Sequence, residues 1–199
     1  MLEKHLKKPE NSVVREKLLK HKFLYDIQLE YLKQSSSILY YESDYDRDGF
    51  DLLFDNLLTQ KHFQMKSVMK SSSTSSFKIH RKLLRPRLNE LNYYPLSHDD
   101  YGLGYGGGVI LIVAEEVNNT LELSYQYCDG LILCAFNIGY FEHKTAQRQK
   151  SVVCAFKEYQ NSNEKDGKVK ITKSCFLKFN TLMDLFSYAG LGNYGDGLR

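Results

Sequence analysis

"DGFDLLFDNLLTQKHFQMKS", residues 48–67, is the stretch on which the fold of this chain turns. Strand side chains alternate between the two faces of a sheet. Phe50, Leu52 and Phe54 therefore share one face of a first strand, leaving Asp51, Leu53 and Asp55 on the other. In a second strand Phe63 and Met65 share a face, opposite His62, Gln64 and Lys66. Antiparallel pairing about "NLLT" sets Phe50 against Met65 and Leu52 against Phe63. That register predicts Asp51 opposite Gln64 and diagonal to Lys66, at Cβ separations of about 5 Å and about 7–8 Å. One register packs the apolar face and gathers three polar residues; a one-residue slip loses both.

Outward from the hairpin, residues 12–34 have helical spacing with Ser12 as N-cap. Two apolar stripes run along this helix: Val14, Leu18, Tyr25 and Leu32, and Leu19, Phe23 and Ile27. Both are expected to be covered. A short strand is predicted at 38–42, followed by the acidic turn "SDYDRDG". After the hairpin, "SSSTSS" (71–76) breaks the pattern and "FKIHRKLLRPRLNELN" is expected to be largely helical, bent near Pro86. "VILIVAEEV" reads as a buried central strand, and "LILCAFNIGYF" as another. "AQRQKSVVCAFKEYQ" has helical spacing, "KVKITKSC" alternates like an edge strand, and "TLMDLFSYAGL" is a closing helix ending at Gly190. The order implies a mixed α/β domain.

Gly102, Gly104 and Gly107 match GxGxxG formally. A dinucleotide fingerprint needs a strand before it and a helix after it, and here a loop precedes and a strand follows. The glycines read as a loop entering a buried strand. At 199 residues the chain suits one domain rather than two. Its net charge of +3 is too small to make the whole protein a polyanion binder, so any nucleic-acid argument rests on local charge. Cys128, Cys134, Cys154 and Cys175 form no CxxC pair, which argues for reduced thiols and against a structural zinc site. No signal-peptide core or run of transmembrane length is present, and a soluble cytoplasmic protein with no membrane partner is expected.

Asp51, Gln64 and Lys66 have a chemistry in common. Mg²⁺ takes oxygen ligands, typically one or two protein carboxylates plus waters and phosphate oxygens. Asp51 supplies a carboxylate and Gln64 an amide oxygen, while Lys66 can hold an attacking water or offset charge on phosphorus. These are the parts of metal-assisted phosphodiester hydrolysis. The bland reading is a solvated hairpin face with a weak ion pair.

"GFD" followed by "QMK" resembles the catalytic signature of the PD-(D/E)XK nuclease superfamily, specifically restriction-endonuclease-like members in which glutamine takes the second acidic position. The resemblance covers roughly residues 13–91. It implies a restriction-endonuclease-like core in αβββαβ order, a mixed central sheet flanked by helices, within a single domain spanning 1–199. The core is 12–136, and 137–199 forms a C-terminal extension. By the same resemblance Asp51 and Gln64 bind Mg²⁺ or Mn²⁺, Lys66 is the catalytic lysine, and the glutamate that the family adds from the preceding helix falls on Glu30, or second on Glu16. Phe50 stands where the family often has proline, and the neutral Gln64 removes one ligand charge.

Residues 66–87 carry Lys66, Lys70, Lys78, Arg81, Lys82, Arg85 and Arg87 with no acidic residue. Beside a nuclease motif, Lys70, Lys78, Arg81, Lys82, Arg85 and Arg87 read as a DNA-backbone track with interleaved serines. The alternative is a solvated basic helix face. The expected activity is therefore Mg²⁺-dependent DNA cleavage in restriction or defence, with RNA as an open alternative substrate and a homodimer if both strands are cut symmetrically. The competing expectation is a non-catalytic nucleic-acid-binding protein on the same fold, its metal site weakened by Gln64.

Overall fold

The computed structural model of the chain describes residues 2–43, 49–93, 102–143, 145–160 and 167–192. Helix α1 (Leu2–Leu6) leads into α2 (Ser12–Lys33), whose Leu19, Phe23 and Ile27 are fully buried. The second stripe of α2 is not covered by any described residue: Val14, Leu18, Tyr25 and Leu32 stay exposed. Strands β1 (Leu39–Glu42), β2 (Leu52–Asp55) and β3 (Gln60–Met69) then form an antiparallel meander. Its hairpin has the expected register, with Leu52 opposite Phe63 and Asp55 opposite Gln60. Asn56 turns the loop, its side-chain oxygen accepting the Leu58 and Thr59 N–H groups.

The basic stretch after β3 is helical only in part. It opens as a strand, β4 (Ser76–His80), then makes one helical turn, α3 (Arg81–Leu84), breaks around Pro86 as expected and resumes as a 3-10 helix at Leu88–Tyr93. Alternation explains the strand: Phe77 and Ile79 turn inward and Lys78 outward, while Pro86 lacks the N–H that a continuing helix needs. The glycine loop packs against this turn. A Cβ at Gly104 would lie 2.1 Å from the Lys82 carbonyl oxygen, so only glycine fits there.

Strand β5 (Gly108–Val117) runs parallel to β3, and β6 (Thr120–Asp129) returns antiparallel along its length. Asn118 and Asn119 make that turn, both at positive φ, as a tight hairpin between right-twisted strands requires. "LILCAFN" is then a helix, α4 (Gly130–Asn137), where a strand was expected. Asp129 caps it by accepting the Ile132 N–H (2.9 Å). An apolar run without periodicity suits a buried helix as well as a buried strand, and here the cap decides.

Helix α5 (Ala146–Gln160), strands β7 (Lys168–Thr172) and β8 (Leu177–Lys178), and helix α6 (Leu182–Tyr188) complete the described fold. The main sheet has six strands in the order β1-β2-β3-β5-β6-β8, with β3–β5 the parallel pair, and β4 and β7 form a separate two-stranded ribbon. The chain is thus mixed α/β, with a mostly antiparallel central sheet flanked by helices. Residues beyond 137 are part of the core. Phe186 of α6 packs on Phe23, Phe54 and Phe63, and the Tyr31 hydroxyl donates to the Leu191 carbonyl. No helix among the described residues is long and apolar enough to cross a membrane.

Candidate active site at the open edge of the third strand

Strand β2 stops pairing at the Leu52–Phe63 step, while β3 continues to Met69. On that side, the edge of β3 from Gln64 onward pairs with no described strand. A cavity of about 390 Å³ opens along this edge, lined by Val13, Glu16, Lys17, Lys20, Ser43, Asp51, Met65, Lys66, Ser67, Phe77 and Ile112. Three consecutive strand residues, Met65, Lys66 and Ser67, line it, which a cavity over a single sheet face does not allow. It wraps the strand edge and so reaches both faces.

The position of Asp51 follows from a local offset in the ladder. Its N–H donates to the Phe63 carbonyl (2.8 Å), although Leu52 is the residue opposite Phe63. Two residues of one strand thus address one of the other, as in a β-bulge. The Asp51 carboxylate accepts the Met65 N–H (2.6 Å), and its carbonyl accepts the Ser43 N–H (3.1 Å). The bulge also moves Phe50. It was expected on the buried face with Leu52, Phe63 and Met65, but its ring packs edge-on against His62, 4.5 Å between centroids, and against Tyr105.

The predicted cluster is therefore brought together only in part. Asp51 and Lys66 line one cavity, and Lys66 Nζ makes no hydrogen bond or ion pair with any described residue. Gln64 is not among the lining residues. It is 4% exposed and its Oε1 has no hydrogen-bond partner among the described residues. Its backbone lies opposite Val109 of β5, on the face away from Met65.

The helix contributes from its other end. Val13, Glu16, Lys17 and Lys20 are spaced i, i+3, i+4, i+7 and form one face of α2 over the cavity. Glu16 lines the cavity and Glu30 does not. The two lie fourteen residues apart, about 21 Å along the axis, and Glu30 is occupied by Lys33 (2.6 Å). Lys20 pairs with Glu42 (2.5 Å), and the Ser67 hydroxyl, on the cavity wall, has no partner among the described residues. Lys17, Lys20, Ser43 and Ser67 were not foreseen; the regular spacing from Val13 is the signal in the sequence that could have found the helix residues.

The basic run is mostly consumed by the fold. Arg81 is 2% exposed and donates through Nη2 to the Glu158 carbonyl (2.9 Å). Arg87 clasps two carbonyls, donating through Nε to Tyr105 and Nη2 to Gln60, each at 2.7 Å. Arg85 is half-buried; burial and then the neighbouring Arg81 charge lower its pKa. Lys70 pairs with Glu115 (2.6 Å). Lys78 and Lys82 are exposed, Lys82 lying over the Tyr105 ring. A continuous track over all six residues is not formed, because two of the guanidinium groups satisfy backbone carbonyls inside the fold.

A second cavity of about 450 Å³ holds Lys61, Arg87, Glu90 and Asp129. These groups already bond within the protein: Lys61 lies 3.9 Å from Asp129, and Glu90 accepts the Arg87 N–H. The first cavity is the better site, since Glu16, Lys66 and Ser67 face it without partners among the described residues.

Among the described residues no three His, Cys, Asp or Glu side chains come together as a metal cage. A site with one or two carboxylates, completed by water and phosphate oxygens, is what Mg²⁺ ordinarily uses. Asp51 and Glu16, which both line the cavity, are the carboxylates such a site would use. No family model, no curated protein and no solved structure matches this chain.

Proposed function

We propose that the chain is a metal-dependent nuclease hydrolysing DNA phosphodiester bonds. The observation that carries this reading is that Asp51, Glu16 and Lys66, the last without a partner among the described residues, line one cavity at an open strand edge. The element order supports it in part: a long helix, a three-stranded meander and a later strand parallel to β3 follow the αβββαβ plan of a restriction-endonuclease-like core, whereas β4 is inserted after the meander and a single helical turn stands where the plan has a helix. A role in restriction or defence belongs to the same reading.

Asp51 and Glu16 would hold Mg²⁺ or Mn²⁺, which when bound supplies Lewis-acid polarisation of phosphate and a more acidic water. The bulge keeps the Asp51 carboxylate fixed by tying one oxygen to the Met65 N–H. Lys66, on a rigid strand, orients the attacking water by hydrogen bonding and offsets negative charge that grows on the phosphoryl oxygens. Lys17 and Lys20 draw the phosphate toward the cavity from above.

A second reading is favoured by one observation. Gln64, the residue replacing the family's acidic ligand, is buried and outside the cavity lining. A non-catalytic nucleic-acid-binding protein on the same fold accounts for that. Incubating plasmid and linear DNA with the protein, with and without Mg²⁺ or Mn²⁺, separates the two. Cleavage should require the metal, vanish in Asp51→Asn and fall by on the order of 10²- to 10³-fold in Lys66→Ala, with DNA binding retained in both. Undiminished cleavage by Asp51→Asn would overturn the nuclease assignment at this cavity. No cleavage by the parent, together with no Mn²⁺ binding, would establish the binding protein instead.

A further inference from the structure

The ribbon of β4 and β7 carries an arrangement that the fold itself does not explain. Five residues of each strand pair, and their outward positions set Ser76 against Thr172, Lys78 against Lys170 and His80 against Lys168. The inward positions, Ile79 against Val169 and Phe77 against Ile171, seal the core. Lys78 and Lys170 are exposed, and neither ammonium has an ion-pair partner among the described residues. Glu158, the carboxylate that approaches this ribbon from α5, accepts the Lys170 backbone N–H (3.2 Å) rather than its ammonium. Like charges directly opposite in an antiparallel pair are destabilising, and a two-stranded ribbon has little stability of its own to spare. A polyanion lying across the ribbon would turn this repulsion into attraction.

We propose that the outer face of the β4–β7 ribbon is a docking surface for the phosphate backbone of duplex DNA, with Lys78 and Lys170 as its paired contacts. This rests on the nuclease reading for the choice of DNA, and deepens it by saying where the duplex is held. The ribbon meets the candidate site twice. Phe77 lines the cavity, and Gly49, two residues before Asp51, packs so closely on His80 that a Cβ there would lie 2.2 Å from it. Phe77 reaches the cavity from the inward face, and on the outward face it is the contact of Gly49 with His80 that sets the ribbon beside the segment carrying Asp51. Five residues of strand extend about 17 Å, the length of about five base pairs. Ser76 adds a neutral hydroxyl donor of the kind that binds phosphate oxygens, while the Thr172 hydroxyl is engaged with Cys175 Sγ (3.4 Å). The outward positions include no aliphatic or aromatic residue that could insert into a bilayer, which sets an anionic lipid surface aside.

The test is binding of the full chain to two labelled duplexes of unrelated sequence, in EDTA so that nothing is cut, across a salt series. Lys78→Ala/Lys170→Ala should weaken binding by the same factor on both sequences and reduce the log K versus log salt slope by about two, one per lysine. Lys78→Arg/Lys170→Arg should restore binding, and the alanine variant should melt no lower than the parent, because a repulsive pair has gone. Parental affinity and slope in the alanine variant would overturn the proposal. So would a loss confined to single-stranded RNA or to phosphatidylserine vesicles with DNA binding intact. Because no metal is present, this outcome is separate from cleavage: a protein that binds through the ribbon but cuts nothing loses the nuclease reading and keeps the docking surface.

Discussion

Two stretches that lie side by side in the chain, the hairpin at 50–66 and the basic run at 70–87, meet different fates. The hairpin delivers Asp51 and Lys66 to a common cavity, with Lys66 left without a partner among the described residues. The basic run, much the richer in charge, gives up Arg81 and Arg87 to backbone carbonyls and Lys70 to Glu115. What separates them is where carbonyl oxygens fall. Lys66 stands on the wall of an open cavity and meets no carbonyl acceptor among the described residues. Next to loops and helix ends, whose carbonyls lack partners, a guanidinium is drawn inward to satisfy them. Charge in a sequence therefore marks a binding surface only after the backbone has taken what it needs.

The sharpest way to break this comparison is on the helix above the cavity. Glu16→Gln should lower the cleavage rate by on the order of 10²-fold and weaken Mn²⁺ binding, whereas Glu30→Gln should leave both at the parental level. Equal effects of the two, measured by single-turnover cleavage and metal titration, would remove the helix from the site. On the other side of the comparison the effects are on folding. Arg81→Ala should destabilise the protein by about 2–3 kcal/mol, since it strips a charged hydrogen bond from a buried position and leaves the Glu158 carbonyl unpaired. Lys82→Ala, one residue along and exposed, should cost well under about 1 kcal/mol. Urea denaturation of the two variants tests whether burial, rather than charge, sorts this run. The smallest effect is expected at Lys70. Its surface pair with Glu115 should contribute no more than about 0.5 kcal/mol, and Lys70→Ala should leave the urea midpoint almost unmoved.

The region after residue 137 sets a further contrast between sequence and fold. Read along the chain it is an extension; in space α6 closes the aromatic cluster around Phe23, Phe54 and Phe63 through Phe186. Strand β6 was not anticipated, although Leu121, Leu123, Tyr125 and Tyr127 alternate along it and the two asparagines before it have the chemistry of a tight turn. Those signals were present locally. The bulge at Asp51 was not, because alternation assumes an unbroken ladder and nothing in "GFDLL" marks the residue at which it slips.

By itself, the sequence determined the local regularities: the long helix at 12–33, the hairpin with Leu52 opposite Phe63, the buried strand at 108–117 and the closing helix Leu182–Tyr188, with Gly190 at positive φ just past its cap. Each is set by periodicity and turn chemistry within a few residues, which local propensity is sufficient to encode. Tertiary structure alone decided which polar groups meet. It chose Glu16 over Glu30, took Gln64 out of the cavity lining while Asp51 remained, and paired Lys78 with Lys170 from a strand ninety-two residues away in the chain. Such choices depend on where a strand stops pairing and which helix end lies above it, and those are properties of the packed chain rather than of any short stretch of it.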